Sequence, residues 1–182
     1  MMSKFVEKTI GTKKIFNGKI VSLQVDDVRL PNGKTSKREI IKHSGAVAVI
    51  PITDDGKIIF VEQYRKPLEK SLVEIPAGKL EPGEEPHITA VRELEEETGY
   101  TTDDLTYITS FYTSPGFADE IMYIYLAKQL KLLENPVLGD EDEFVEKVIL
   151  SLDEAKQYVK EERIHDAKTV YALLYVELMG LI

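Results

Sequence analysis

A run of apolar side chains at residues 46–52, AVAVIPI, constrains the fold of this 182-residue chain more than any other segment. A nearly continuous apolar run predicts a strand that is buried on both of its faces. Strand-like and helical segments surround the run without a regular strand–helix–strand rhythm. This order predicts an α+β fold with a mixed β-sheet rather than a doubly wound fold.

The segments on either side of this run complete the predicted organisation. Residues 14–42 predict a small antiparallel β-region, because apolar stretches flank a turn at Pro31-Asn32-Gly33. The turn at residues 54–56, Asp-Asp-Gly, predicts a hairpin between the apolar run and a strand at residues 57–63. The remaining predicted elements are strands at residues 72–75, 105–112, 121–127 and 144–150, and helices at residues 84–98, 152–162 and 167–179.

The composition excludes several classes of protein. With 43% apolar residues the chain can bury a sizeable core, and no apolar run approaches the roughly 20 residues of a membrane span. The N-terminus lacks the apolar core of a signal peptide, so we expect a cytoplasmic protein. The chain has no cysteine, which excludes disulfides, zinc ribbons, iron–sulfur clusters and thiol nucleophiles.

The charge of the chain bears on its partners. Acidic residues number 32 and basic residues 23, which gives a net charge of −9 and disfavours binding to nucleic acid. An acidic protein can still bind an anionic substrate when divalent cations lie between the two. We therefore expect neither a nucleic acid nor a membrane as partner.

The segment at residues 78–100, GKLEPGEEPHITAVRELEEETGY, predicts a helix with two distinct faces. Pro86 marks the start of the helix, and Gly99 is well placed to end it. The stripe that we expect to be buried consists of Ile88, Val91 and Leu94.

Three carboxylates, those of Glu93, Glu96 and Glu97, fall on the opposite side of this helix. Side chains three and four positions apart are neighbours on a helix, so the negative charges crowd one another. A hard divalent cation such as Mg²⁺ would neutralise them and prefers oxygen ligands. The alternative is a solvated acidic face in which Arg92 balances part of the charge.

The spacing of residues in this segment resembles the box of the Nudix hydrolases. The matching positions are Gly78, Glu84, Arg92, Glu93, Leu94, Glu96, Glu97, Gly99 and Tyr100. The resemblance implies a hydrolase that splits a nucleoside diphosphate linked to another group, with Mg²⁺, Mn²⁺ or a similar ion. It also implies the Nudix fold, an α/β/α sandwich around a mixed β-sheet.

By position, the resemblance implies which residues bind the metal. Glu93 and Glu97 become the chief ligands, and the backbone carbonyl of Ala77 joins them. Glu96 is implied to be a further ligand or a residue that contacts the ligands.

Four other positions of the box are implied to be structural. Glu84 and Arg92 would form an ion pair that ties the loop to the helix, and Gly78 and Gly99 would serve the backbone geometry.

Three features outside the box resemble the ADP-ribose pyrophosphatases of this family. The turn Ser114-Pro115-Gly116 lies where that subfamily carries a proline, and residues 62–67 resemble a strand end whose arginine approaches the substrate. Residues 14–42 resemble an extra β-region that exchanges across a homodimer and clamps the adenine. The implied reaction converts ADP-ribose, or another ADP-sugar, to AMP and ribose 5-phosphate.

This resemblance divides the chain into an N-terminal antiparallel β-region at residues 1–44, for dimerisation and substrate clamping, and a Nudix hydrolase domain at residues 45–182. The residues implied to bind the nucleotide-sugar substrate are Arg38, Glu39, Arg65, Ser114, Gly116 and Glu120.

Several of these residues have a simpler interpretation. Arg65 would otherwise be a surface cation beside Glu62 or Glu69, and Arg38 and Glu39 would be an exposed pair on an edge strand. Phe16 is expected in the core rather than against adenine, as aromatic residues usually are.

Hydrolysis also requires an activated water, and a further carboxylate would complete its activation. By resemblance, Glu141 aligns best as the general base, with Glu143 as the second choice or an extra ligand. The alternative is that the loop at residues 139–143 is only solvated acidic charge.

Two other functions remain open at this point. The chain could be a Nudix pyrophosphohydrolase for another nucleoside diphosphate derivative, or a Nudix-fold binding module without catalysis. The complete set of box glutamates argues against the binding module.

Overall fold

The structure, a computed structural model, describes residues 4–135 and 144–182. These residues form two compact units. The first contains the residues up to Gly45 together with Phe111–Ile121, and the second contains Ala46–Ser110 and the residues from Met122 onward.

The first unit is built on a three-stranded antiparallel sheet with the strand order β1-β2-β3. Its strands are β1 (Lys8–Asn17), β2 (Val21–Arg29) and β3 (Thr35–His43). Gly33 has a φ of 82° in the β2–β3 turn, a conformation that favours glycine. The structure thus has the predicted antiparallel region, although β1 begins upstream of the predicted start.

Several large apolar side chains of this unit are exposed in the single chain. Phe16 is 57% exposed, so the prediction that it lies in a core is wrong for the single chain. The other exposed apolar residues of the N-terminal segment are Phe5, Val6, Ile10, Ile15 and Ile20. A three-stranded sheet has no second layer of its own to cover such side chains.

Residues 111–121 join the first unit through β3. The Ile41 amide donates to the Phe117 carbonyl at 2.8 Å, and the Asp119 amide donates to the Ile41 carbonyl at 3.2 Å. The Asp119 carboxylate accepts hydrogen bonds from the Lys42 ammonium and the His43 amide, at 2.7 Å and 3.0 Å. The segment is therefore fixed at the end of β3.

In the part of the chain that the structure describes, the second unit contains three sheets. A mixed sheet has the order β7-β4-β10-β9, an antiparallel sheet has the order β12-β5-β6, and β8 and β11 form a two-stranded ribbon. The strands are β4 (Ala46–Pro51), β5 (Ile58–Arg65), β6 (Lys70–Glu74), β7 (Ala77–Lys79), β8 (Tyr100–Thr101), β9 (Asp104–Tyr112), β10 (Ile121–Lys128), β11 (Lys131–Leu132) and β12 (Val145–Leu150). Strand β4 is buried along its whole length, as the apolar run predicts, and pairs in parallel with β10.

The predicted hairpin between β4 and β5 is present only at its turn and does not continue into paired strands. Gly56 adopts a φ of 74° in the connecting turn, but among the described residues only the bridge between Ile52 and Ile58 links the two strands. Strand β5 pairs instead with β6 and β12, in a different sheet. The turn reverses the chain, while partners distant in sequence decide which sheet each strand joins.

Within the described ranges the chain has three helices, α1 (Pro86–Thr98), α2 (Leu152–Lys160) and α3 (Ala167–Leu178). Their bounds lie close to the predicted ones, and each helix begins at a local signal, which for α1 is Pro86. Ser151 and Glu154 form a capping box at the start of α2, and the Asp166 side chain accepts the Thr169 amide at the start of α3. No helix in residues 4–135 or 144–182 is long and apolar enough to cross a membrane.

Helix α1 packs against the mixed sheet through one apolar cluster. The cluster consists of Val47 and Val49 of β4, Ala90 and Leu94 of α1, and Tyr125 and Ala127 of β10. This packing fixes the rotation of α1 and therefore the direction of its carboxylates. The mixed sheet with its helices confirms the predicted α+β fold.

Candidate active site

The buried face of α1 differs from the predicted one. Ile88 is 51% exposed, whereas Glu93 and Glu97 are only 7% and 8% exposed and share the buried face with Leu94. The helical wheel placed these carboxylates opposite the apolar stripe, and burying a charge is costly without compensating partners. Here polar groups of the fold replace water around both carboxylates.

Arg92 links the acidic side chains of the segment. Its Nη1 donates to Glu93 at 2.8 Å and to Glu96 at 2.9 Å, while its Nε and Nη2 donate to Glu84 at 3.3 Å and 3.2 Å. Partial burial alone would lower the pKa of Arg92, but the hydrogen bond with Glu84 and the charges of Glu93 and Glu96 outweigh it and raise the pKa above its ordinary value. The implied ion pair between Glu84 and Arg92 is present, and Arg92 also balances the neighbouring carboxylates.

The residues before the helix fix the positions of Glu93 and Glu97. The Ala77 amide donates to Oε2 of Glu97 at 3.0 Å. A Cβ at Gly78 would lie 1.9 Å from the carboxyl carbon of Glu93, closer than any real contact. Position 78 therefore requires glycine so that the backbone and this carboxylate can approach each other.

The oxygen atoms on α1 are the kind of donor that a hard divalent cation prefers. Within residues 4–135 and 144–182, no three acidic or histidine side chains are already spaced to hold a metal ion. Instead, the Arg92 guanidinium lies between Glu93 and Glu96. In donor chemistry Glu93 and Glu96 fit a divalent ion, which would neutralise these two carboxylates as Arg92 does here.

The C-terminal end of α1 is held by Gly99 and by β12. Gly99 adopts a φ of 74°, and its amide donates to the Glu95 carbonyl at 2.9 Å. Lys147 of β12 donates to the Thr98 carbonyl at 3.1 Å, and its ammonium lies 4.7 Å from the centre of the Tyr100 ring. A cation at a helix C-terminus is favourable, so Lys147 stabilises the end of α1 next to Glu97.

Arg65 is held by a buried carboxylate of the β5–β6 hairpin. Its Nε and Nη2 donate to the two oxygens of Glu74 at 2.7 Å and 2.8 Å, and Glu74 is 2% exposed. Lys168 of α3 donates to the same carboxylate. Burial would raise the pKa of Glu74, but Arg65 and Lys168 outweigh it and lower the pKa.

The alternative partners expected for Arg65 are engaged elsewhere. Glu62 pairs with Arg163 at 3.2 Å, and Glu69 pairs with Lys66 at 2.7 Å. The interpretation of Arg65 as a surface cation beside either of them is therefore wrong.

Arg38 and Glu39 lie on β3 in the first unit. The Arg38 guanidinium forms two hydrogen bonds with the Glu7 carboxylate, at 2.6 Å and 2.8 Å. Arg38 therefore pairs with Glu7 rather than with Glu39, whose side chain is exposed.

The turn at residues 114–116 also belongs to the first unit. The Ser114 carbonyl accepts the amides of Phe117 and Ala118 at 3.1 Å and 2.9 Å, and a Cβ at Gly116 would meet no atom within 4 Å. Glu120 accepts a hydrogen bond from the Thr113 hydroxyl. Of the residues predicted to bind substrate, only Arg65 lies in the second unit, and all six roles stay predictions.

The predicted general base Glu141 and its alternative Glu143 lie outside the described residues, as does the rest of the loop at residues 139–143. Their roles also stay predictions.

Sequence reasoning missed Glu74, Lys168 and Lys147. A charged residue at the end of a buried strand needs a cation nearby, which is a signal that would have pointed from Glu74 to Arg65. The two lysines lie far along the chain from their partners and carry no local signal.

Two family descriptions together span most of the chain. Residues 42–174 match the NUDIX domain, and residues 7–41 match the nucleoside diphosphate sugar hydrolase N-terminal domain.

Two curated relatives match over nearly the whole chain. The methanol dehydrogenase activator of Bacillus methanolicus is 64% identical, over 96% of this chain and 94% of its own. The ADP-ribose pyrophosphatase of Bacillus subtilis (strain 168) is 60% identical, over 97% of this chain and 96% of its own. A crystal structure of an ADP compounds hydrolase shares the fold, with a TM-score of 0.83, 23% identity and coverage of 97% of both chains.

Proposed function

This chain belongs to the Nudix family of hydrolases, and we propose that it hydrolyses the pyrophosphate bond of ADP-ribose to give AMP and ribose 5-phosphate. The observation that carries the chemistry is that Glu93 and Glu96 both accept hydrogen bonds from the Arg92 guanidinium, on the same helix as the buried Glu97. The substrate is supported by the identity of 60% with a relative named for that activity.

Hydrolases of this family generally use divalent metal ions. The ion proposed here is Mg²⁺, with Mn²⁺ able to substitute, and its ligands are Glu93, Glu96, Glu97 and the Ala77 carbonyl. Such an ion polarises phosphate oxygens and makes a bound water more acidic. With a net charge of −9, a divalent cation between the protein and an anionic substrate reduces their repulsion.

The chain's own residues orient the substrate and accept the proton. Arg65 donates hydrogen bonds to a phosphate oxygen, as a guanidinium does well. Glu141, with Glu143 as the alternative, accepts the proton of the attacking water. Ser114, Gly116 and Glu120 contact the substrate from the turn that precedes β10.

We further propose a homodimer in which the N-terminal β-region, residues 1–44, is exchanged between subunits and clamps the substrate of the hydrolase domain, residues 45–182. The exposed apolar side chains on β1 support this assembly, because a dimer would cover them. Arg38 and Glu39 then contact the substrate held by the neighbouring subunit. The substrate is a small nucleotide sugar, and the expected location is the cytoplasm.

The test is the Mg²⁺-dependent release of AMP and ribose 5-phosphate from ADP-ribose, resolved by chromatography, alongside a panel of other nucleoside diphosphate sugars. The Glu97→Gln variant should lower the rate by more than about 100-fold, since one charge that holds the ion is lost. Its far-UV circular dichroism should match that of the unchanged chain. Equal turnover of other nucleotides, or activity of Glu97→Gln within a few-fold of the unchanged chain, would contradict the proposal.

A second candidate function is activation of another enzyme. It is favoured by the identity of 64% with a methanol dehydrogenase activator. The purified chain would be added to a methanol dehydrogenase, with and without the Glu97→Gln change. Stimulation that survives the change would show action by binding, and stimulation that is lost would show that activation depends on hydrolysis.

A further inference from the structure

The hairpin of β5 and β6 places a carboxylate behind Arg65. Glu74 lies opposite Val61 in the strand pairing, and residues 61, 63 and 65 share one face of β5. The Arg65 side chain meets Glu74 edge to edge, with two hydrogen bonds of 2.7 Å and 2.8 Å. Such a two-point contact fixes both the position and the plane of a guanidinium.

The Glu74 carboxylate is itself fixed from α3. Lys168 donates to Oε2 of Glu74 and, at 2.8 Å, to Asp166. The Thr169 hydroxyl at the start of the same helix accepts the Ile75 amide at 3.0 Å, next to Glu74 in the chain. Glu74 is thus a buried and immobile anchor with a balanced charge.

The charge of one proposed metal ligand, Glu97, acts on the anchored guanidinium. The hydrogen bond to Glu74 raises the pKa of Arg65 most strongly, and the charge of Glu97 raises it further, which places the two groups within electrostatic reach. Ala77, three positions after Glu74, donates its amide to Glu97. The segment at residues 74–77 therefore connects the anchor of Arg65 to the Glu97 carboxylate of α1.

One edge of Arg65 remains available to a ligand. Nε and one N–H of Nη2 are used by Glu74, and within residues 4–135 and 144–182 the Nη1 group has no hydrogen-bond partner. The side chain is 38% exposed, whereas the Glu74 side chain is 3% exposed. The free donors therefore face away from the anchor, where an anion can reach them.

We propose that Glu74 is a positioning residue, which acts through Arg65 by aiming its free edge at the diphosphate of the substrate. This inference rests on the proposed function. Lys168 stabilises the same buried cluster but does not contact Arg65. It therefore supports the fold and does not orient the guanidinium.

The first experiment compares Glu74→Gln with Lys168→Met in steady-state hydrolysis of ADP-ribose at saturating Mg²⁺. Loss of one charged anchor should raise KM by about tenfold and change kcat much less, because a freed guanidinium loses a charge-assisted contact with bound substrate. Lys168→Met should lower the melting temperature but keep KM near that of the unchanged chain, since Arg65 and Glu74 remain paired. Equal rises of KM in both variants, or no rise in Glu74→Gln, would overturn the proposal.

The second experiment asks whether Glu74 acts through Arg65. The double variant Arg65→Ala/Glu74→Gln should have the KM of Arg65→Ala alone, because Glu74 acts on the substrate only by orienting the Arg65 guanidinium. If the rise of KM in the double variant equalled the product of the rises in the two single variants, the proposal would be overturned. If Glu74→Gln does not fold, Glu74→Asp replaces it in both comparisons, since the shorter carboxylate keeps the charge and loses the two-point contact.

The unchanged chain separates this inference from the function on which it rests. If it releases no AMP from ADP-ribose, the proposed function is overturned. The proposal that the diphosphate is the ligand of Arg65 is then overturned as well. If it releases AMP and the variants behave alike, only the role of Glu74 is overturned.

Discussion

Gly78 shows how the absence of a side chain can shape the candidate active site. Its Cβ position is filled by the carboxyl group of Glu93, at 1.9 Å. We predict that Gly78→Ala lowers Mg²⁺-dependent hydrolysis by more than about 100-fold, because the carboxylate must move away from Arg92 and from the ion. Steady-state rates across a Mg²⁺ series would measure the loss.

Gly83 provides the matched control for that substitution. It has a φ of 84°, and a Cβ there would meet no atom within 4 Å. Gly83→Ala should therefore lower the free energy of unfolding by about 1 kcal/mol through backbone strain and leave the rate nearly unchanged. Equal losses of activity in both variants would mean that the loop conformation, and not the approach to Glu93, sets the requirement for glycine at position 78.

Glu141 is the residue to test as the general base. If it activates water without being a main metal ligand, Glu141→Gln should lower kcat by about 10²–10⁴-fold and leave the affinities for Mg²⁺ and substrate nearly unchanged. Glu143→Gln is the control, and a large loss there with little at Glu141 would transfer the role. Small losses at both would mean that the loop is only solvated charge.

The residues of the site were predictable to the extent that their signal is local. The residue spacing of the Nudix box predicted that Glu84, Arg92 and the glutamates of α1 belong to one site, because all of them lie on one helix and its preceding loop. The burial of Glu93 and Glu97 was not predictable from the wheel, since it depends on Arg92 and on the Ala77 amide. A helical wheel counts apolar side chains and does not see such partners.

At the scale of elements, helix ends were predictable and strand partners were not. Pro86 and Gly99 bound α1 as predicted, because capping and breaking depend on neighbouring residues. The turn at Gly56 indicated a hairpin, yet β4 pairs with β10 and β5 pairs with β12. Pairing of distant strands is decided by burial in the whole fold.

The β6–α3 contact should make stability depend on pH. The pKa of Glu74 lies below its ordinary value of 4.5 in the folded chain. Its stabilising effect is therefore present above that value and is lost as the pH falls through the folded pKa. The difference in the free energy of unfolding between the unchanged chain and Glu74→Gln should be large at about pH 7 and smaller at about pH 3.5.

Urea unfolding at both pH values would measure that difference. Glu62→Gln, in the partly exposed pair with Arg163, is the control and should change the free energy of unfolding by less than about 1 kcal/mol at either pH. If the free energy of unfolding differs between the unchanged chain and Glu74→Gln by the same amount at both pH values, the stabilisation does not come from the charge of Glu74.

At the scale of the whole molecule, the family and the hydrolase class predicted from the box are confirmed by the match of residues 42–174 to the NUDIX domain. The α+β fold is confirmed by the mixed sheet and its helices and by a structural relative with a TM-score of 0.83. The family, the hydrolase class and the fold were predictable because the box is a dense pattern within one segment. The assembly has no comparable pattern and depends on exposed surface.

We predict a homodimer at micromolar concentration, measured by size-exclusion chromatography with light scattering. Phe16→Lys should shift it to monomer, because the exposed ring would lie in the subunit contact. Leu178→Lys changes a residue that is 84% exposed on α3 and should leave the dimer intact. A fully active monomer of the unchanged chain would reject the exchanged N-terminal region.

The parallel pairing of β4 with β10 also governs how the chain is made. Ala46 lies opposite Met122, and Ile58 lies opposite Leu150, so both pairings join segments that leave the ribosome far apart in time. Until β10 is synthesised, the wholly apolar β4 has an unpaired edge of the kind that drives aggregation. The chain is therefore most prone to aggregate during its own translation. Slow elongation before residue 150, where both pairings become possible, would lower the soluble yield more than slow elongation after it.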